Sequence, residues 1–272
     1  EKKQHQPKKM DMLGSLFLML TLLSLLLGFQ LLGDEGISLA VVALFVASIL
    51  ALLFFIQAEK KAEDPVINLQ LFSNQTFASV NIVAALISGF LMGLDVYIPM
   101  WMQGVLGKPA GLGGLVLAPM SIIWMYGSFL SGKLLRKYSV RSILIMGLTI
   151  ILFGGGTLLA LPQQSPFWLF FIITGVLGVG YGLSVTTTTV EAQASVPKEE
   201  IGVATSFNTL SRTIGQTVMV ALFGIILNVA NNHQLVKAKI TDLDSMNRLI
   251  NPHTALQIEV GLRMKLHKIL FN

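Results

Sequence analysis

The sequence predicts an all-α, polytopic membrane helix bundle, and three observations predict it. Charge is scarce: 12% of the 272 residues are charged and 53% are hydrophobic, against roughly 25% charged in an ordinary soluble domain. Those charges collect at the N-terminus, in short connectors and in the C-terminal tail, so long stretches carry almost none. The apolar stretches are also continuous. Leu16 to Leu27 is broken only by Thr21 and Ser24, whereas a β-barrel strand alternates polar and apolar residues over about ten positions. A soluble fold of this length would need far more polar surface to cover its core.

A bilayer core takes about 20 apolar residues per helix, and seven segments qualify: 12–32, 37–56, 77–102, 112–131, 143–161, 167–190 and 201–228. The first follows Lys2, Lys3, Lys8 and Lys9, as a signal peptide's apolar run follows basic residues. It is span-length, however, and a signal core is only about 7–15 residues.

The connectors predict orientation. With the N-terminus cytoplasmic, the inner connectors hold Lys2, Lys3, Lys8, Lys9, Lys60, Lys61, Lys133, Arg136, Lys137, Arg141 and Lys198. The outer connectors 33–36, 103–111 and 162–166 hold only Lys108. Basic residues favour the cytoplasmic side of short loops. The tail from Val229 runs against this trend, with Lys237, Lys239 and four further basic residues outside, but the rule is weakest for long segments. The net charge of +5 thus belongs to a membrane surface rather than to a nucleic-acid partner.

Several polar residues interrupt the lipophilic runs. Asn81, Ser88 and Asp95 are spaced by seven in the third segment, so they form one slowly drifting stripe on a helix. Asp95 reads either as a cation or proton site in a water-filled cavity or as an interfacial residue near Pro99 and Trp101. In the last segment Thr205, Asn208, Ser211, Arg212, Gly215 and Gln216 recur at spacings of three and four, which makes a polar face. Arg212 lies too deep to be an end residue. Its face lines a cavity, or Arg212 pairs with a carboxylate or a helix C-terminus, or it holds two helices together structurally. Glu191, at the end of the sixth segment, reads as a solvated helix end. The small residues Gly175, Gly178 and Gly182, the pair Gly127 and Ser131, and the run Gly154-Gly155-Gly156, which interrupts the fifth segment, allow close helix approach.

Enzyme chemistry is disfavoured. There is no cysteine, and His5, His233, His253 and His267 all lie outside the seven segments. No HExxH motif, phosphate-cradling glycine loop or pair of deep aspartates occurs. No metal site and no cofactor is therefore expected.

Three stretches stand out further: the connector Pro65-Val66-Ile67-Asn68-Leu69-Gln70-Leu71-Phe72, followed by Phe77; Tyr97 to Gly107, running on to Gly114 through Pro119; and Asn208-Thr209-Leu210-Ser211-Arg212-Thr213-Ile214-Gly215. Through them the chain from about residue 65 resembles the C-terminal half of the major facilitator superfamily, and more narrowly its fourteen-helix drug:proton antiporters of the EmrB/QacA type. The first stretch is similar to the family's segment before the ninth span, and the second resembles the outer turn between spans nine and ten. The third matches the family's Asn-Thr-x-x-Arg-x-x-Gly pattern of the thirteenth span. Gly132, Lys137 and Arg141 also fit a degenerate copy of the superfamily's cytoplasmic loop motif. Arg136 stands where that motif has aspartate and Ser139 where it has glycine, so a basic gating latch is expected in place of the usual charge relay.

The resemblance implies the following organisation. Residues 1–11 form a cytoplasmic basic segment, and 12–64 hold two linker transmembrane helices. Residues 65–228 supply five of six helices of the C-terminal transporter bundle, and 229–272 form an outer loop before a missing last helix. It further implies a multi-pass protein of the cell membrane that exports amphipathic, often cationic, drugs in exchange for protons by alternating access. The expected partners are the lipid bilayer, the missing N-terminal half, small amphipathic molecules and protons. Asp95, Asn81, Ser88, Asn208, Arg212 and Gln216 are expected to line the cavity, with Gly132, Arg136, Lys137 and Arg141 in the gating loop. A facilitator for one specific metabolite and a non-transporting membrane scaffold subunit remain alternatives. Competition among unrelated dyes, or a stoichiometric partner, would separate them.

Overall fold

The structure, a computed structural model, describes residues 12–61, 71, 73–104, 106–162 and 165–237. Every regular element in that range is helical: α1 Met12–Glu35, α2 Leu39–Lys61, α3 Gln75–Gly104, α4 Ala110–Leu115, α5 Ala118–Leu134, α6 Val140–Ala160, α7 Phe167–Ala194 and α8 Ile201–Lys237, with one 3-10 turn at Lys198–Glu200. Among the described residues, seven helical stretches are long and apolar enough to cross a membrane. The chain is a multi-pass membrane protein. The basic segment 1–11, most of the connector Pro65–Phe72 and residues 238–272 lie outside the described residues.

The helices begin and end where local chemistry dictates. Asn74 Oδ1 accepts from the backbone amides of Thr76 at 3.0 Å and Phe77 at 3.3 Å, satisfying two donors that the first turn of α3 leaves free. Ser139 Oγ does the same for Ser142 at the start of α6, at 3.3 Å. Gly36 and Gly107 take positive φ, 76° and 62°, conformations that cost a side-chain-bearing residue more.

Three features differ from the sequence expectation. The fourth span is not one helix: α4 stops at Leu115 and α5 starts at Ala118. Pro119 sits in the first turn of α5 and cannot supply the amide hydrogen that a continuous helix would need there. The Gly154-Gly155-Gly156 run does not interrupt the fifth span, since α6 is unbroken from Val140 to Ala160. With little water at that depth, a helix keeps its own hydrogen bonds even where glycine weakens it. Finally, α8 continues through Lys237, so residues 229–237 of the expected outer loop extend the last helix.

Two parallel helix pairs organise the bundle. Along α5 and α7, a Cβ added at Gly178 or Gly182 would collide with the carbonyl of Met120 or Trp124, and one at Gly127 would lie 2.6 Å from Val179 O. Ser131 and Thr187 share a hydrogen bond at 2.8 Å, and Thr174 donates to Val116 O at 2.8 Å. Along α3 and α8, Gly215 abuts the Ala85 carbonyl and Gly89 lies against Gly215 O. These contacts place backbone against backbone, the packing that small residues permit in lipid. Between the pairs, Ile87 and Leu91 of α3 meet Met120, Ile151, Leu177 and Tyr181 in a buried core. The hairpin of α1 and α2 is joined by a Ser48 Oγ to Thr21 O hydrogen bond at 3.0 Å. It docks through α1, where Gly33 lies against Ala221 and Gly224 of α8.

Candidate functional site

The polar stripe of α3 divides by depth. Asn81 is 3% exposed and Ser88 is 2% exposed, so both lie in helix packing. Asn81 Nδ2 donates to Phe77 O at 2.8 Å and its Oδ1 accepts from Asn208 Nδ2 at 3.0 Å. Asn208, fully buried, accepts in turn from Thr189 Oγ1 at 3.0 Å. Three helices, α3, α7 and α8, are thereby tied by one chain of side-chain hydrogen bonds. Asn81, Ser88, Asn208, Asp95 and Arg212 line none of three cavities between the helices.

Asp95 continues the same face about two turns beyond Ser88, where it is half-buried. Among the described residues it is the acidic side chain set deepest within a span. Pro99 stands four residues later in α3 and lacks the amide hydrogen that would bond the Asp95 carbonyl. Asp95 therefore offers a backbone oxygen without its usual helical donor as well as a carboxylate. Leu91 and Leu94, within about one turn of it on α3, pack in the same cluster as Trp124 and Tyr181. Tyr181 is wholly buried, its hydroxyl has no hydrogen-bond partner, and its ring stacks on Trp124 at 5.9 Å and 16°. An acidic group and a freed carbonyl thus stand next to the cluster that holds the half-buried Trp124, and a carboxylate with an accessible aromatic face attracts an organic cation. Neither Trp124 nor Tyr181 stood out in the sequence, where each is one more lipophilic residue of a span. Only the pairing of α5 with α7 brings their rings together.

Arg212 does not belong to that cluster. Three contacts fix the register of α3 against α8: Asn81 with Asn208, Ala85 with Gly215, and Tyr97 with Phe223. Arg212 therefore lies level with residues near Ala84, roughly eleven residues below Asp95, or about 16 Å at 1.5 Å per residue. Its Nη2 donates to Thr209 Oγ1 at 3.3 Å, and its Nε is buried without a partner. Gln216, one turn further along α8, lines a cavity of about 370 Å³ between α1, α3 and α8. A larger cavity of about 670 Å³ opens between α3, α6 and α8, walled by Phe90, Leu94, Tyr97, Trp101, Leu152 and Phe223.

At the opposite end of the bundle, the expected gating residues sit on the surface. Gly132 is exposed in the last turn of α5, Arg136 and Lys137 are exposed in the turn to α6, and Arg141 is exposed in the first turn of α6. Lys60, Lys61, Lys133 and Lys198 fall at the same end of the bundle. Nearby, Asn74 Nδ2 donates to Ser195 O at 2.9 Å and Gln193 Nε2 to Thr205 Oγ1 at 2.9 Å. Polar contacts thus join the ends of α3, α7 and α8 there. Glu191 is half-buried in the last turn of α7, and its backbone carbonyl accepts from Ser195.

Comparison with known proteins gives a consistent result. The sequence model of the Major Facilitator Superfamily matches residues 3–220. The chain is 28% identical over 247 residues to the multidrug transporter protein MdtP of Bacillus subtilis, covering 90% of this chain and 46% of that protein. It is 31% identical over 239 residues to multidrug resistance protein 3 of the same organism, with 85% and 46% covered. Against the tetracycline resistance determinant of Streptomyces rimosus it is 31% identical over 232 residues, with 81% and 65% covered. The chain spans about half the length of the first two relatives.

Proposed function

Because the chain belongs to the Major Facilitator Superfamily, we propose that it is the C-terminal part of a proton-coupled exporter of amphipathic cations, of the fourteen-helix drug:proton antiporter type. The names of its multidrug and tetracycline resistance relatives support that substrate class. In this reading α1 and α2 are the two linker helices, and α3 to α8 are five spans of the C-terminal half. The missing N-terminal half supplies the opposite wall of the cavity, and the whole protein lies in the cell membrane.

The single observation that carries the reading is Asp95. A carboxylate inside a lipid-facing chain is expensive and persists where it binds something. Here it lies beside a proline-freed carbonyl, and its helical neighbours Leu91 and Leu94 pack in the cluster that holds the stacked Trp124 and Tyr181. A cation and a proton compete for one carboxylate: protonation removes the charge that holds the cation. Exchange follows if the cavity opens to the two sides in turn. The smooth glycine seams between α5 and α7 and between α3 and α8 give helices that can shift as packed units. Asn81 and Asn208 tie α3 to α8 on the basic side of Asp95, and Ser88 is buried between the two levels. Gly132, Arg136, Lys137 and Arg141 form the cytoplasmic latch, with their positive charge at the inner membrane surface.

The test is ethidium export driven by a pH gradient in inverted vesicles carrying the intact protein. Asp95→Asn should reduce export at least about tenfold, the loss expected when one charged contact of more than about 1.4 kcal/mol is removed. Export of every tested cation at the wild-type rate would sink the assignment.

A further inference from the structure

The cavity of about 370 Å³ between α1, α3 and α8 has a chemistry of its own. It is walled by Phe29 and Gln30 of the first linker helix, Val96 and Tyr97 of α3, and Gln216 and Val220 of α8. All of these lie within candidate membrane spans. Neither the Gln30 nor the Gln216 carboxamide has a hydrogen-bond partner among the described residues. In hydrocarbon an amide without a partner is costly, and two such amides on different helices border one space. Their heights agree. Gly33 meets Ala221 and Gly224, and α1 and α8 run the same way as first and seventh spans. Gln30 precedes Gly33 by three residues, and Gln216 precedes Ala221 by five and Gly224 by eight, so the two levels lie within about 3–8 Å along the axes at 1.5 Å per residue.

We propose that this junction is a second binding site, selective for an uncharged, drug-sized amphiphile whose head group both donates and accepts hydrogen bonds. No charged side chain lines the cavity, so an organic cation finds nothing there to offset its desolvation. The volume falls within the range of about 300–1,000 Å³ that small-molecule sites occupy. The apolar wall holds the tail, and the two carboxamides hold the head. The linker hairpin then has a role beyond spanning the membrane: with α8 it builds a pocket that the transporter half alone lacks. Binding is read without transport, so this inference does not depend on cation export.

The experiment is photolabelling of the intact protein in vesicles with a diazirine-bearing N-alkylacetamide, followed by peptide mapping. Saturable labelling should fall on residues 29–33 and 216–224. Gln216→Leu and Gln30→Leu should each lower it about fivefold, the effect of losing roughly one hydrogen bond. Gln30 is exposed, so its variant keeps the helix packing and remains informative if Gln216→Leu folds poorly. Tetraphenylphosphonium should not compete. Unsaturable labelling spread over the exposed Leu53 and Phe153, or wild-type labelling in both variants, overturns the site. Competition by tetraphenylphosphonium overturns its separation from the cation site.

Discussion

Asn208 on α8 donates to Asn81 on α3 at 3.0 Å, and both side chains are buried. This bond joins α3 to α8 near the basic end of the bundle, and Thr189 extends it to α7. It turns two polar residues, costly in lipid one at a time, into a satisfied pair.

The coupling of that pair is measurable. In a double-mutant cycle, Asn81→Ala and Asn208→Ala should show an interaction of about 0.6 kcal/mol, and no more than about 1.7, the range found for hydrogen bonds between membrane helices. Denaturant unfolding in mixed micelles gives the four stabilities. A coupling of zero would mean that the bond contributes nothing beyond its geometry.

The glycine seams should be asymmetric in their tolerance. A Cβ at Gly215 would collide with the Ala85 carbonyl, whereas one at Gly132 or Gly156 meets nothing within 4 Å. Gly215→Ala should therefore destabilise by about 1–3 kcal/mol, the cost of overpacking. Gly132→Ala and Gly156→Ala should leave the melting temperature unchanged or slightly raised. Thermal unfolding of the purified protein separates the two groups.

Arg212 and Asp95 should behave independently. With roughly 16 Å between their levels on the helix axes, they form no ion pair. The charge swap Asp95→Arg with Arg212→Asp should restore no activity lost in either single variant, and their stability effects should add within about 0.5 kcal/mol. Rescue by the swap would show that the helices move far enough to bring the pair together.

The sequence made the spans legible because lipid demands unbroken apolar runs and internal hydrogen bonding. It was less informative where a break is made by one residue: Pro119 splits the fourth span, although the residues on both sides are apolar. The glycine triplet misled in the opposite direction, since the membrane holds α6 together there. The stripe Asn81, Ser88 and Asp95 was readable from its spacing of seven. What opposes each member was not, because periodicity reports a face and not its neighbour. Asn208 closes on Asn81, Ser88 is packed away, and Asp95 is left half-buried. Trp124 and Tyr181 were invisible for the same reason, since their pairing depends on the α5 and α7 seam.

Cation binding should weaken as pH falls. A protonated Asp95 has no charge to offer, so tetraphenylphosphonium affinity should decline towards acidic pH in the wild type. In Asp95→Asn the affinity should be lower and flat with pH. Titrations across a pH series at fixed ionic strength read both curves.

The most direct measurement is the equilibrium affinity of the intact protein for tetraphenylphosphonium, compared with Asp95→Asn and Trp124→Leu at neutral pH. The account predicts affinity weakened at least about tenfold by Asp95→Asn and about two- to thirtyfold by Trp124→Leu, as loss of a charge and of a cation–π face requires. Wild-type affinity in both variants would contradict it and would place the cation elsewhere in the protein.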